Sequence, residues 1–246
     1  MPDNHHGTPA TLAHSRDLIK SAERRHRNMH PRDAACLIVV DNDNPSRPRV
    51  LMGRRRPDLA FMPNRLVFPG GRVEASDYLA VRRGVMAPPL LSKLMAYPPP
   101  GKRTHRQRGL ALAHAALRET EEETGLRMSA RAGGVGAVAG RTAPDFSGWS
   151  FLARAITPPR FARRFDTRFF AVSAELIAGE TTPVDGEFVT IEWLTLEEAR
   201  RQGAANITKI ILDDLESRLH TGLPGDQDAP VPFYFMRGAC FHRIML

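Results

Sequence analysis

Glu119, Glu122 and Glu123 lie in the run Arg118-Glu119-Thr120-Glu121-Glu122-Glu123-Thr124-Gly125-Leu126, at the i, i+3 and i+4 spacing that a helix gathers on one face. At about 100° per residue the three carboxylates fall within an arc of roughly 100°, and Glu121 stands outside it on the flank. Like charges placed this way repel one another unless something positive joins them, and no Lys follows at i+4 to relieve them. A hard divalent cation suits the arrangement. Mg²⁺ or Mn²⁺ takes oxygen ligands, keeps several waters, and is usually held by one or two carboxylates plus substrate phosphates. A solvated acidic face is the commonest fate of a Glu run. Three charges crowded onto one side of a helix argue against that here.

Two local elements must position these groups. The carboxylates need a helix that is itself anchored, and Leu112, Ala113, Ala116, Leu117, Thr120 and Thr124 form an apolar arc that would pack it onto a sheet. Gly125 supplies the left-handed residue that stops it. Upstream, Arg65 to Phe68 reads as a short strand feeding a Pro69-Gly70-Gly71 turn. Adjacent glycines let backbone approach a ligand closely and leave carbonyls free to face a metal.

Turn and run together resemble a split Nudix box, whose pattern is Gly, five residues, Glu, seven residues, then Arg-Glu-apolar-x-Glu-Glu-x-Gly-apolar. Gly71 fits the opening glycine, and Arg118, Glu119, Glu122, Glu123, Gly125 and Leu126 fit the later positions. Three departures stand out. Asp77 occupies the place of the first Glu, one methylene shorter. Thr120 replaces the usual aliphatic residue. Asp77 and Arg118 are 41 positions apart where the pattern has eight, an insertion of 33 residues. Loop-closure entropy grows only with the logarithm of length, so an insertion of this size is tolerable.

The resemblance implies an α+β fold, a Nudix-type α/β/α sandwich with a mixed β-sheet, a long insertion within the box and a terminal strand. It implies hydrolysis of a nucleoside diphosphate linked to another group, by attack of water at one phosphorus. Glu119 and Glu123 would be metal ligands with the Gly70 carbonyl beside them; Glu122 would either ligate metal or take the proton from water. Arg118 would orient a box carboxylate through a bidentate ion pair. Glu187, in Asp185-Gly186-Glu187-Phe188, is either an added metal ligand or base, or an exposed turn residue. Arg54, Phe61 and Arg168 are candidate substrate contacts. The split box and the segment Pro158 to Phe170 resemble the acyl-coenzyme A diphosphatase branch of the family, which makes coenzyme A or acyl-coenzyme A the expected substrate. A capped-RNA or dinucleoside-polyphosphate hydrolase would use the same box, and so would a non-catalytic nucleotide sensor, although a pure binding module need not keep like charges that destabilise its helix.

Composition sets the outer limits. With 246 residues, 42% hydrophobic and 25% charged, the chain is an ordinary globular protein, expected to form one domain over 31–246 with a mobile N-terminal arm over 1–30 and an insertion at about 78–110. No stretch approaches the roughly 20 apolar residues of a membrane span, and the polar N-terminus lacks a signal-peptide core, so a cytoplasmic protein is expected. Cys36 and Cys240 are the only cysteines, too few for a disulfide framework and read as buried apolar side chains. The formal charge of +8 is compatible with nucleic acid, but it is spread along the chain, and a diphosphate would equally favour a basic cleft. A small nucleotide is therefore the favoured partner.

Further elements read as follows. Residues Asp17 to Arg27 suggest a short helix; Ala34 to Asp41 and Arg49 to Gly53 form a hairpin across the turn-rich Asn42 to Pro48. The insertion from Tyr78 to Leu117 has no Asp or Glu but carries Arg82, Arg83, Lys93, Lys102, Arg103, Arg106 and Arg108, together with an apolar patch at Leu90 to Tyr97. It is a lid over phosphates, a contact for a second subunit in a homodimer, or a solvated excursion. Val135 to Ala139, Ser150 to Ile156, Phe165 to Val172 and Val184 to Trp193 read as strands. Thr195 and Glu198 form a capping box for a helix through Arg201, and Ile207 to His220 is a second amphipathic helix. Phe233 to Ile244 reads as a terminal strand.

Overall fold

An unbroken apolar run is the mark of a strand covered on both faces, and Arg32–Asp41 (β1) is such a strand, with residues 37–40 all buried. The structure, a computed structural model, describes residues 27–59, 61–81, 84–96, 105–128, 135–138, 141–182, 186–220, 229–238 and 240–246. The suggested helix at Asp17 to Arg27 lies almost wholly outside them. Asn28 and Met29, at the end of the expected arm, both accept from Arg164.

β1 pairs antiparallel with Arg49–Arg55 (β2), the expected hairpin, and parallel with Phe165–Ser173 (β9) over the whole stretch from Arg32 to Val40. Leu66–Val67 (β3) pairs with β2, and Gly70–Arg72 (β4) pairs with β1. Phe188–Thr195 (β11) lies outside β2; Ser150–Ile156 (β8) continues the sheet beyond β9, followed by Pro232–Arg237 (β12) and Cys240–Met245 (β13). Parallel and antiparallel pairs coexist, so the sheet is mixed. Four short strands stand apart in two pairs: Arg127–Met128 (β5) pairs with Ile177–Ala178 (β10), and Val135–Val138 (β6) with Arg141–Pro144 (β7). The expected terminal strand is corrected to the β12–β13 hairpin. The chain turns back after Arg237, pairing Phe233 with Ile244, and so gives the backbone of its own outer half a partner.

Alternation along β1 and β2 divides the core into two layers. Ile38, Val40, Val50 and Met52 pack with Ile210, Ile211 and Leu215 of the helix Asn206–Leu219 (α5) and with Leu196 and Ala199 of Leu196–Arg201 (α4). Leu37, Val39 and Leu51 pack on the other side with Leu112, Ala113, Ala116 and Leu117 of the helix His105–Thr124 (α3). Every member of the expected apolar arc is buried, Thr120 and Thr124 included. Those two threonines satisfy their hydroxyls on the carbonyls of Ala116 and Thr120, which explains how Thr replaces an aliphatic residue without cost in unpaired polar groups. Gly125, at φ 75°, ends α3.

The insertion is not a solvated excursion. Ala75–Ala80 (α1) and Pro88–Met95 (α2) pack on α3, and Leu90 and Leu94 of α2 enter the core at 1% and 6% exposure. Lys93 donates to the carbonyl of Ala229, and Arg108 is buried against Asp33. Arg82, Arg83, Lys102 and Arg103 lie outside the described residues. Cys240 is exposed, which corrects the expectation that it is buried, whereas Cys36 is partly buried and packs against the core. No helix among the described residues is long and apolar enough to cross a membrane.

The capping box stands as expected: the Thr195 hydroxyl accepts from Glu198 N–H at 3.3 Å, and the Glu198 carboxylate receives Thr195 N–H at 2.9 Å. Thr195→Ala should therefore lower stability by about 1 kcal/mol, read as a lower urea midpoint at unchanged slope.

Candidate functional site

α3 lies along β1 with its later turns above the Pro69-Gly70-Gly71 turn. Glu123 is only 1% exposed, and its Oε2 receives the backbone N–H of Gly70 at 2.9 Å. Glu119 presses on Gly71 so closely that any Cβ there would overlap its carboxylate. This is the physical requirement behind the second glycine: the helix and the strand meet carboxylate to backbone. Gly70, at φ 151°, is equally confined, since a side chain would meet Ala35 O and Cys36. Glu122 projects outward and is about half exposed. Glu121 sits on a different side of the helix, half-buried toward Arg127 and the backbone of Met128.

Arg118 gathers the cluster. Its Nε and Nη2 form a bidentate pair with Asp77 at 3.0 and 3.1 Å, and its Nη1 reaches Glu119 Oε1 and Glu122 Oε2, each at 3.0 Å. Asp77 is 2% exposed and also receives Glu74 N–H at 2.7 Å, capping α1. Its shorter side chain thus serves two partners, the first turn of the insertion and the helix beyond it. In this way the fold closes the 33-residue gap: the residues on either side of it are joined by one ion pair.

The electrostatics follow from crowding. Burial pushes the Glu119 carboxyl above its ordinary range, Arg118 opposes the shift, and Glu122 and Glu187 add to it. The Cys36 thiol is pushed up by burial and then by Glu123 and Glu119. Burial would lower Arg118, but Asp77 and Glu119 outweigh it and hold the guanidinium above its usual value. The cluster holds more carboxylates than guanidinium groups, a surplus that a divalent cation would neutralise. Among the described residues no three metal-ligating side chains converge into a ready-made cage.

Other expected residues fall in different places. Glu187 reaches the site through Arg55, whose Nη1 meets Glu187 Oε2 at 3.0 Å and whose Nε donates to the carbonyl of Phe61 at 3.1 Å. The Phe61 ring itself packs edge-on against Phe165, at 5.6 Å between centroids. Arg54 points the other way: its guanidinium donates to the carbonyls of Asn64 and Gln202. The side-chain period of two puts neighbours on opposite faces, and Leu51 packs with α3, so Arg55 and not Arg54 shares the carboxylate side. That signal was present in the alternation of β2. Arg168 is corrected too. It is 1% exposed and locked between Asp33 and Asp166 in the core, which leaves no route to a substrate.

Comparisons with known proteins agree with this geometry. A family model for the NUDIX domain matches residues 103–215. The chain is similar to a NUDIX hydrolase from Alicyclobacillus acidocaldarius, with 25% identity, a TM-score of 0.58, and 77% of this chain and 92% of that one covered. It is also similar to a MutT NUDIX hydrolase from Burkholderia pseudomallei (16% identity, TM-score 0.46, 76% and 99% covered). A third similar structure is the NUDIX domain of Shewanella oneidensis NrtR complexed with ADP ribose (11% identity, TM-score 0.47, 78% and 90% covered). No match was found among curated proteins. The two halves of a motif that the sequence separates are brought into contact by the fold, and the match over residues 103–215 identifies a NUDIX domain in this chain.

Proposed function

We propose that this hydrolase cleaves the diphosphate bond of its nucleoside diphosphate-linked substrate with Mg²⁺ or Mn²⁺ held by Glu119 and Glu123, joined by the Gly70 carbonyl. The observation that carries the reading is the seating of both carboxylates on the Gly70-Gly71 turn, one accepting a backbone N–H and the other filling the space a Cβ would take. A bound divalent ion supplies charge neutralisation at the diphosphate and a water of lowered pKa. The chain's own groups do the rest. Arg118 holds Glu119 and Glu122 in place through Asp77; Glu122, exposed beside them, ligates metal or accepts the proton of the attacking water. Glu187 offers a further carboxylate, held by Arg55, and Arg55 takes the place of Arg54 as the cation facing the phosphates.

Coenzyme A or acyl-coenzyme A is the proposed substrate, on the length of the split in the box and the likeness of the Pro158 to Phe170 segment. Asp166, Arg168, Phe169 and Phe170 of that segment are buried, so its bearing on substrate runs through support of β9. The test is product release from coenzyme A, acyl-coenzyme A, ADP-ribose, NADH, dinucleoside polyphosphates and capped RNA, each with Mg²⁺ or Mn²⁺. Coenzyme A compounds should be cleaved in a metal-dependent manner. Cleavage confined to capped RNA or dinucleoside polyphosphates would reassign the substrate, and silence across the panel with nucleotide binding intact would make the protein a sensor.

A further inference from the structure

A pocket of about 320 Å³ lies beyond the end of α3, lined by Trp193, Leu126 and Ile177 with Glu180 and Thr181 as its polar members. We propose that it receives the nucleobase of the substrate, with the diphosphate laid along β2 toward the carboxylates; this rests on the hydrolase reading of the same site. Three observations carry it. The pocket and the carboxylates share one face of the sheet, because Trp193 and Leu51 both pack in the layer that contains α3. The spacing is right. Trp193 is opposite Leu51 and Phe188 opposite Arg55, so the pocket and the Arg55–Glu187 pair are four residues apart on β2, about 13 Å at the rise of a strand. That is comparable to the reach of a nucleoside diphosphate from its base to its outer phosphorus.

The chemistry is right as well. An indole at the wall of a pocket that mixes apolar and polar lining offers a face on which a base stacks, and stacking of this kind is tolerant of sequence. Glu180 and Thr181 supply the few polar groups that fix orientation in such a site, the carboxylate accepting from an exocyclic amino group. Between pocket and carboxylates, the face of the two strands presents Ile191 and Gly53, the latter covered by the ring of Phe188, and among the described residues of these strands no charged side chain intervenes. Only the two ends of the strip are built for recognition, one for a flat ring and one for anionic oxygens.

Tryptophan fluorescence tests this without any turnover. The protein has two tryptophans, and Trp149 is fully buried among Phe146 and Phe170. Trp193 is therefore the one a ligand can reach. Titration of the metal-free protein with ADP should quench emission saturably, whereas ribose 5-phosphate and pyrophosphate should not. Trp193→Phe should abolish the signal, and Thr181→Phe, which fills the pocket from its rim without entering the core, should weaken ADP at least about fivefold. In turnover, Trp193→Ala should raise KM for the cleaved compound by a similar factor with kcat within about twofold, the pattern of lost uniform binding. Equal responses to ADP and ribose 5-phosphate, or quenching that survives in Trp193→Phe, would overturn the assignment. The two readings fail separately. ADP quenching with no hydrolysis anywhere in the panel keeps the pocket and removes the hydrolase reading; hydrolysis with no quenching and an unmoved KM does the reverse.

Discussion

Glu123→Gln should lower metal-dependent hydrolysis at least about 100-fold while the protein keeps its fold. The expectation comes from what the substitution spares. Glu123 is almost fully buried and accepts the Gly70 N–H, and a glutamine can offer the same oxygen to the same donor at nearly the same volume. The charge is lost, and the second oxygen becomes an amide donor. Because that charge is buried one helical turn from Glu119, its removal should leave thermal stability unchanged or slightly raised. Glu119→Gln should behave alike, since its carboxylate rests on Gly71. Glu121→Gln should stay within about twofold of the parent rate, because its side chain lies toward Arg127 on another side of the helix. Steady-state rates with saturating Mg²⁺, paired with melting curves, decide it. Equal losses at all three positions would sink the argument that one helical face does the chemistry.

Asp166→Ala should be the most destabilising single change proposed, about 3–5 kcal/mol by urea unfolding. Asp166 receives Arg154 through two bonds of 2.8 Å each and lies 2.9 Å from Arg168, with Arg108 at 3.7 Å. All of these side chains are buried, so removing the carboxylate leaves guanidinium charge in the core without its counter-ion. The pH dependence has a definite sign. Burial would raise the Asp166 carboxyl, but the hydrogen bond from Arg154 and the charges of Arg168, Arg154 and Arg108 outweigh it and hold it below its ordinary value. Its contribution is therefore full above the unfolded Asp range and is lost as pH falls through the depressed folded value. Arg168→Met should cost less than Asp166→Ala. Burial lowers the Arg168 guanidinium to about 10, and its Nε and Nη2 have no hydrogen-bond partner, so methionine removes an imperfectly satisfied charge while keeping most of the volume.

The comparison between Arg54, Arg55 and Arg168 shows where sequence reading stops. All three are basic residues within or beside strands, and nothing in their identity says which faces the carboxylates. Alternation settles Arg54 against Arg55 once β2 is known to lie beside β1 with Leu51 on the α3 side. No periodicity could have placed Arg168, because its environment comes from Asp33 and Arg108, which are 135 and 60 positions away in the chain and meet it only through the parallel pairing of β1 with β9 and the packing of α3. Trp193 was likewise readable only as the end of a strand.

What the sequence determined by itself was local: the carboxylate face of α3, its apolar arc, its stop at Gly125, the β1–β2 hairpin and the Thr195 cap all follow from spacing within one or two turns or one strand pair. What only the tertiary structure decided was contact between distant segments: Asp77 on Arg118, Gly71 under Glu119, the folded insertion, the returning C-terminal hairpin and the pocket at Trp193. Side-chain period and capping chemistry act over a few residues and are written in the order of the chain, whereas packing joins surfaces whose separation in sequence carries no information about their distance in space.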